Sequence, residues 1–495
     1  MGTALTSLTI FGWIPFVLGL FLLMPPRRAV LWAFFIAWLF LPMAKYSLPG
    51  LPDFTKMTAS CYGVIIGVIL FDIGRLLSFR PNWCDLPLVG LTVVAPLITS
   101  FTNRLGAYDG LSNVQVYVAS WLLPYLCGRL YFQTLGDMRT LAKAMVIGGI
   151  AYLPIILIEW RLSPQLHRWI YGFHQHHFSH ASRGGGFRPR GFMQSGLMVS
   201  LWMGASTVVL YTLWLSRNQL KILQYKLPMF AGFCVLLIST VMCRSVGALV
   251  LTITMCVVLT LTMLLRTRLL IMVLLVVPIL YTSTRIGGVW DGRSLVSFVA
   301  EEVDPARAQS LEFRINNEDL LVARALQQRW FGWGGWGRSA VTDDFGTRTT
   351  VADGMWIVQF GRGGLVSMAL WMITLAIPMV LLLWRFPPGM YLSRTLAPVT
   401  ALASIPVIWN IDCLPNAMEN TVFFVIIGGL TTYLMSSEVR NWRKMPRRRP
   451  AARAVSEPDP ERAAGPQTPG GGGTPDGGPP VGLPGLSPAP SFQRS

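Results

Sequence analysis

The sequence has little charge. Asp, Glu, Lys and Arg make up 13% of its 495 residues, where an average soluble domain carries about 25%. A soluble chain of this length would form about three domains with charge spread over their surfaces. Here nearly all the charge falls between long apolar runs, which excludes an ordinary cytosolic enzyme. Cysteine is present but unpatterned: there are seven, no CxxC, and four of them (Cys61, Cys127, Cys234, Cys256) lie inside apolar runs. Neither a disulfide framework nor a zinc ribbon follows. No basic residue precedes the first apolar run, so that run reads as a retained segment rather than a cleaved signal peptide. The net charge of +18 does not imply nucleic acid, because the basic residues sit in short loops rather than along one face of a soluble domain.

What the sequence has instead is apolar length. Thirteen stretches stand out, near 7–24, 29–44, 57–74, 87–102, 115–133, 140–160, 191–215, 227–243, 246–265, 269–282, 354–384, 395–411 and 419–436. Spans of about 20 apolar residues at 1.5 Å rise match a hydrocarbon core of about 30 Å. Each must be helical, because hydrocarbon offers no partner to an unpaired backbone group. The expected fold is all-α: a polytopic integral membrane protein of about 12–13 transmembrane helices over residues 1–440. Lys and Arg set the orientation. Arg27–Arg28, Arg75 with Arg80, Arg129 with Arg139 and Lys143, Arg217 with Lys221 and Lys226, Arg266 with Arg268, and Arg385 with Arg394 fall in alternate connections. They share the inner side if the N-terminus is outside, which puts the C-terminus in the cytoplasm. Residues 441–495 then form a basic, later Pro/Gly-rich tail. Its last 45 residues hold ten Pro and nine Gly with no apolar periodicity, a composition that builds no core and is expected to be disordered.

This topology leaves two long external loops, 161–190 and 283–353. Loops beyond about 15 residues without structure of their own are usually functional or disordered. The first holds all five histidines (His167, His174, His176, His177, His180) and five arginines (Arg161, Arg168, Arg183, Arg188, Arg190), with no Asp, Glu or Lys. A basic external loop runs against the positive-inside tendency. Arg without Lys suits forked recognition of phosphate or carboxylate oxygens; a loop solvated among lipid headgroups is the plainer alternative. His176 and His180 would share a helix face at i, i+4, but no acid or Cys lies nearby to complete a ligand set. No metal is expected, and headgroup or sugar contacts are the favoured reading.

The second loop is also free of Lys, with eight Arg against ten Asp and Glu. Over 310–330, Leu311, Ile315, Val322 and Leu326 form one stripe, which reads as an amphipathic helix lying on the external membrane surface. Arg314 lies on another face, with Glu318 one turn later as an i, i+4 partner. Next comes FGWGGWG, Phe331–Gly337, whose four glycines permit a tight turn or close approach to a ligand. Trp333 and Trp336 read as interfacial anchors or a sugar-stacking platform, and Arg338 follows. Arg244, between two apolar runs, is costly at that depth unless paired or functional. Asp353, at the head of a span, is either a helix cap or a functional acid.

Four segments of this chain resemble the O-antigen ligase/polymerase superfamily. RPRGFMQSGLMVSL (188–201) resembles its Arg-x-x-Gly entry to a helix, and CRSVGALV (243–250) its Ser-Arg-Gly-Ala helix opening. SLEFRINNEDLLVARALQQRWFGWGGWG (310–337) resembles its Arg-bearing loop helix and glycine turn, and DGMWIVQFGRGGLVSM (353–368) its closing motif. Asp353-Gly354 stand where the family has His-Asn, Arg362 where a Glu is common, and the turn has Trp330-Phe331-Gly332 without Pro. The resemblance implies a glycosyltransferase of the bacterial inner membrane that assembles cell-surface polysaccharide. Its donor would be a glycan on undecaprenyl pyrophosphate, its acceptor a glycan, lipid or protein, and it would transfer with inversion and without a cofactor. Arg190 and Arg314 would stabilise the leaving pyrophosphate, and Asp353 would orient or deprotonate the acceptor hydroxyl. Arg188, Arg244, Arg338, Trp333 and His180 are the candidate substrate contacts. A transporter or flippase of lipid-linked sugars is the alternative, beside a non-catalytic relative. A transporter would carry charge in mid-span, whereas Asp72, Glu159, Asp412 and Glu419 lie at or near span ends.

Overall fold

The computed structural model describes residues 3–49, 52–176, 181–183, 185–222, 224–302 and 305–442, without the side chains of residues 183, 306, 307, 441 and 442. A helix forms in each of the thirteen apolar stretches. Six are long and apolar enough to cross a membrane: Trp83–Thr102, Leu135–Leu162, Gly196–Leu215, Val246–Leu264, Leu269–Ile286 and Met355–Arg385. The pair Ala4–Phe11 and Trp13–Leu23, bent by 45°, makes a seventh if counted as one. The described chain is thus all-α with the helices of a multi-pass membrane protein. Others are short for a span: Pro26–Phe40 and Thr421–Met435 have 15 residues each and Met229–Met242 has 14. Fifteen residues rise only about 22 Å. The expected tail lies outside the described residues beyond residue 442, as do His177 and His180.

Local chemistry sets the helix starts. Thr134 accepts from the Asp137 N–H while the Asp137 carboxylate accepts from Thr134, a capping box that opens Leu135–Leu162. Thr55 and Thr58 do the same for Lys56–Phe71, and Asn420 caps Thr421–Met435. The centre of the bundle is Ala397–Asp412 with Thr421–Met435, buried on almost every side. Around them Trp371 meets Trp409 at 5.4 Å and Trp121 at 5.1 Å, both edge-to-face. Gly128 and Gly428 let Leu123–Tyr131 and Thr421–Met435 touch backbone to backbone; a Cβ at either would overlap a carbonyl of the other helix. At the periphery, only 22% of the apolar window of Leu269–Ile286 is buried.

One long helix is broken. Met355–Arg385 leaves helical geometry at Gly364, where φ is 68° and ψ −167°. The glycine turn fills the gap. The N–H groups of Trp333 and Gly334 donate to the Gly361 and Arg362 carbonyls, both at 2.9 Å. Those of Leu365 and Val366 donate to the Arg329 and Trp330 carbonyls at 2.8 and 3.3 Å. From Trp83–Thr102 the Thr99 hydroxyl donates to the Phe331 carbonyl at 2.6 Å, and just beyond it Asn103 donates to that of Gly332 at 2.8 Å. Backbone groups released by the break therefore find partners within the protein, as hydrocarbon requires. Gly332, with φ 63°, lies against the Arg362–Gly363 backbone and Gly364 against that of Trp330–Phe331, and a Cβ at either would collide there.

Gly332→Ala and Gly364→Ala are each expected to destabilise the protein, by backbone strain of about 1–3 kcal/mol plus the collision. Gly389→Ala, where a Cβ meets open space, should be silent. Thermal unfolding of the detergent-solubilised protein is the measurement; a wild-type midpoint for Gly364→Ala would show that the turn does not depend on the break.

Candidate functional site

The amphipathic helix runs over Pro305–Leu326, behind a helix at Arg293–Glu302 that the sequence pattern does not announce. Ile315 and Val322 are buried as the stripe requires, joined by Ala308, Leu321 and Ala325. Leu326 is not: it is exposed, with Phe313 and Leu320. The stripe shifts because a polar residue holds the helix down. Glu318 accepts from the Tyr281 hydroxyl at 2.8 Å, from Arg285 Nε at 3.3 Å and from the Trp356 indole at 3.4 Å. Arg285 also meets Asp319 at 2.8 Å and the Ile315 carbonyl at 3.1 Å. Burial pushes the Glu318 carboxyl above its usual range, and Tyr281 and Arg285 pull it back. Glu318 is therefore committed to Arg285, and the i, i+4 pair with Arg314 is not how this helix is built.

Arg314 is turned elsewhere. Its Nε lies 3.6 Å from Asp353 Oδ2, with the two side chains 26% and 34% exposed. Its Nη1 donates to the Pro415 carbonyl at 3.4 Å. The N-cap of Met355–Arg385 is Gly354, so Asp353 stands one residue ahead of the cap. Within electrostatic reach of Arg314 lie Asp412 and, bonded to it, Asn416, neither of which the sequence pattern marks as part of a site. Asn416 donates to Asp412 Oδ1 at 2.9 Å. Asp412 Oδ2 and Asn416 Oδ1 are buried without a hydrogen-bond partner among the described residues. An acid at the end of an apolar run was the one available hint.

A second cluster pairs two loops. Arg188 Nη2 donates to the Arg244 carbonyl at 2.9 Å, and the Arg244 guanidinium lies against Gly186. Arg190 is 3% exposed and its Nη1 donates to the His176 carbonyl at 3.3 Å, so its guanidinium sits below the surface. The clusters share one end of the bundle through the 413–420 loop: Ser195 donates to Met418 Sδ, Arg314 to Pro415, and the Met355 N–H to the Cys413 carbonyl at 2.8 Å.

The remaining candidates lie apart from these two clusters. Arg338 pairs with Asp109 at 2.8 Å. Trp333 donates to the Arg324 carbonyl and lies under the Arg324 guanidinium at 3.6 Å, inside the turn; the exposed aromatic is Trp336. Arg362 lies beside the helix break in a polar recess shared with Thr99, Asp109, Asn113, Tyr117 and Gln359, facing the Tyr117 hydroxyl and within electrostatic reach of Glu419. His180 lies outside the described residues. Among the described residues no group of three or more His, Cys, Asp or Glu is placed to hold a metal ion. His167 has a structural job: its Nε2 accepts from the Met43 N–H at 3.2 Å, so Nδ1 carries the proton and donates to the Phe173 carbonyl at 2.8 Å. Burial lowers its pKa to about 4.

No protein-family model matches this chain, and no curated protein matches it. The resemblance rests on the four segments alone.

Two outcomes follow from this geometry. Arg285→Ala strands the Glu318 carboxylate and should cost about 3–5 kcal/mol, seen as a lower thermal midpoint and faster proteolysis within 293–326. The unfolded chain protonates His167 near pH 6.5 and the folded one near 4. Stability should therefore be level above about 6.5 and fall as pH drops toward 4. His167→Asn should flatten that decline in midpoint-versus-pH curves; an unchanged slope would assign it to other groups.

Proposed function

We propose that this chain is a membrane glycosyltransferase of cell-surface polysaccharide assembly, similar to O-antigen ligases and polymerases. It transfers or polymerises glycan from undecaprenyl pyrophosphate at the external face, with the N-terminus outside, the C-terminus cytoplasmic and about 12–13 helices spanning the membrane. The observation that carries this reading is the Arg314–Asp353 pair. Residues 39 positions apart, each drawn from a different family-like segment, meet at a partly open rim. The Arg188–Arg244 pair stands at the same end.

In this scheme the acceptor hydroxyl oxygen attacks the anomeric carbon. The bond from that carbon to the pyrophosphate oxygen breaks, and lipid pyrophosphate leaves with the electron pair. Asp353 takes the hydroxyl proton as the new bond forms. Arg314, Arg188 and Arg244 stabilise the leaving charge, with Arg190 supporting from beneath, and no metal or cofactor takes part. One observation favours the transporter reading: Arg362 lies at a helix break in mid-helix, a feature of transport pathways.

Transfer from lipid-linked glycan in proteoliposomes tests both. Arg314→Ala should slow transfer by about 10²–10³, and Arg314→Lys should rescue little, since Lys keeps the charge but not the fork. Asp353→Asn should impair transfer with donor binding nearly intact. EDTA should change nothing. Wild-type turnover by Arg314→Ala, in protein that inserts normally, would sink the scheme. Glycan translocation without transfer would establish the transporter.

A further inference from the structure

Residues 190–193, Arg-Gly-Phe-Met, have no regular structure, yet side chains from elsewhere hold most of their backbone polar groups. Glu159 Oε2 accepts from the N–H groups of Arg190 and Gly191, both at 2.7 Å, and Oε1 from that of Leu166 at 3.2 Å. The Tyr152 hydroxyl accepts from the Phe192 N–H at 2.8 Å and donates to the Arg190 carbonyl at 3.4 Å. Lys56 Nζ donates to the Phe192 carbonyl at 3.1 Å, and to those of Trp38 and Leu41 at 3.2 and 3.4 Å. Gln175 donates to the carbonyls of Gly191 and Met193. Gly191 takes φ 54° to follow this path, and a Cβ there would strike the Tyr152 ring.

Tyr152 and Glu159 are 0% exposed and Lys56 4%. Burying a carboxylate and an ammonium is costly unless each is fully answered by hydrogen bonds. Here both are answered by main-chain groups alone, and three of those six bonds fall on the 190–193 segment. An ordinary connection would leave such groups to water. What this arrangement yields is a loop with little freedom, and what the loop carries at its head is Arg188, tied to Arg244.

We propose that Glu159, Tyr152, Lys56 and Gln175 are positioning residues, which act through the 190–193 backbone to pre-organise the Arg188–Arg244 pair for a lipid pyrophosphate. This rests on the function proposed above. None of the four touches the ligand; each removes a motion that Arg188 would otherwise have to lose on binding.

The test uses the full chain in nanodiscs, with undecaprenyl pyrophosphate as the binding probe and lipid-linked glycan for kinetics. Glu159→Gln and Tyr152→Phe should each raise the Kd for the probe and the KM for the donor, by about 10–100-fold for Glu159→Gln, with the acceptor KM unchanged. Tyr152→Phe removes one hydroxyl and keeps the ring, so it reports even if Glu159→Gln fails to fold. In an Arg188→Ala background, Tyr152→Phe should change Kd no further, because it acts through that arginine. Full additivity, or a wild-type Kd for the folded variants, overturns the positioning role. Wild-type protein that does not bind undecaprenyl pyrophosphate overturns the functional reading itself, which separates the two failures.

Discussion

At Gly364 the Met355–Arg385 helix stops being a helix for one residue, and the hydrogen bonds it gives up are taken over by the Arg329–Gly334 backbone. In water such a break would be solvated. Within a membrane-type bundle the groups must find protein partners, and the only chain that can come close enough is one rich in glycine. The turn therefore fixes one end of the Pro305–Leu326 helix, through Trp333 beneath Arg324. The Arg285–Glu318 network fixes its middle. With two points held, the register of the helix is settled, and that register brings Arg314 to Asp353.

Each acid among these candidate groups answers a specific donor. Glu318 takes Arg285 and Tyr281, Asp109 takes Arg338, Glu159 takes backbone N–H groups, and Asp353 faces Arg314. Only in the last pair are both side chains more than marginally buried yet open enough for a ligand to compete. Exposure separates it from the others, since buried pairs are structural commitments that are costly to break, while a half-exposed pair exchanges partners cheaply. The same reasoning moves Arg190 and Trp333 inward. Both are engaged inside the fold, Arg190 with the His176 carbonyl and Trp333 with that of Arg324.

The segments themselves were legible. Every apolar stretch became a helix, because hydrophobic length is a property of contiguous residues and needs no tertiary information. The glycine turn, the amphipathic helix and the arginine-rich loops were visible for the same reason. Span count was less legible: helices of 14–16 residues read as apolar runs but are short against the hydrocarbon thickness.

By itself, then, the sequence determined that this is a predominantly helical membrane-type chain and which residue types crowd its loops, since both are local properties. Partner choice was decided only by the tertiary structure. Arg314 had a sequence neighbour in Glu318 and a distant partner in Asp353, and packing of the helix against Tyr281 and Trp356 took Glu318 away. Glu159 read only as a charge near a span end, and nothing in the sequence pattern singles out Lys56. Only folding set them beneath the 190–193 backbone, because a hydrogen bond depends on distance in space, and the residues concerned lie 31 and 136 positions away along the chain.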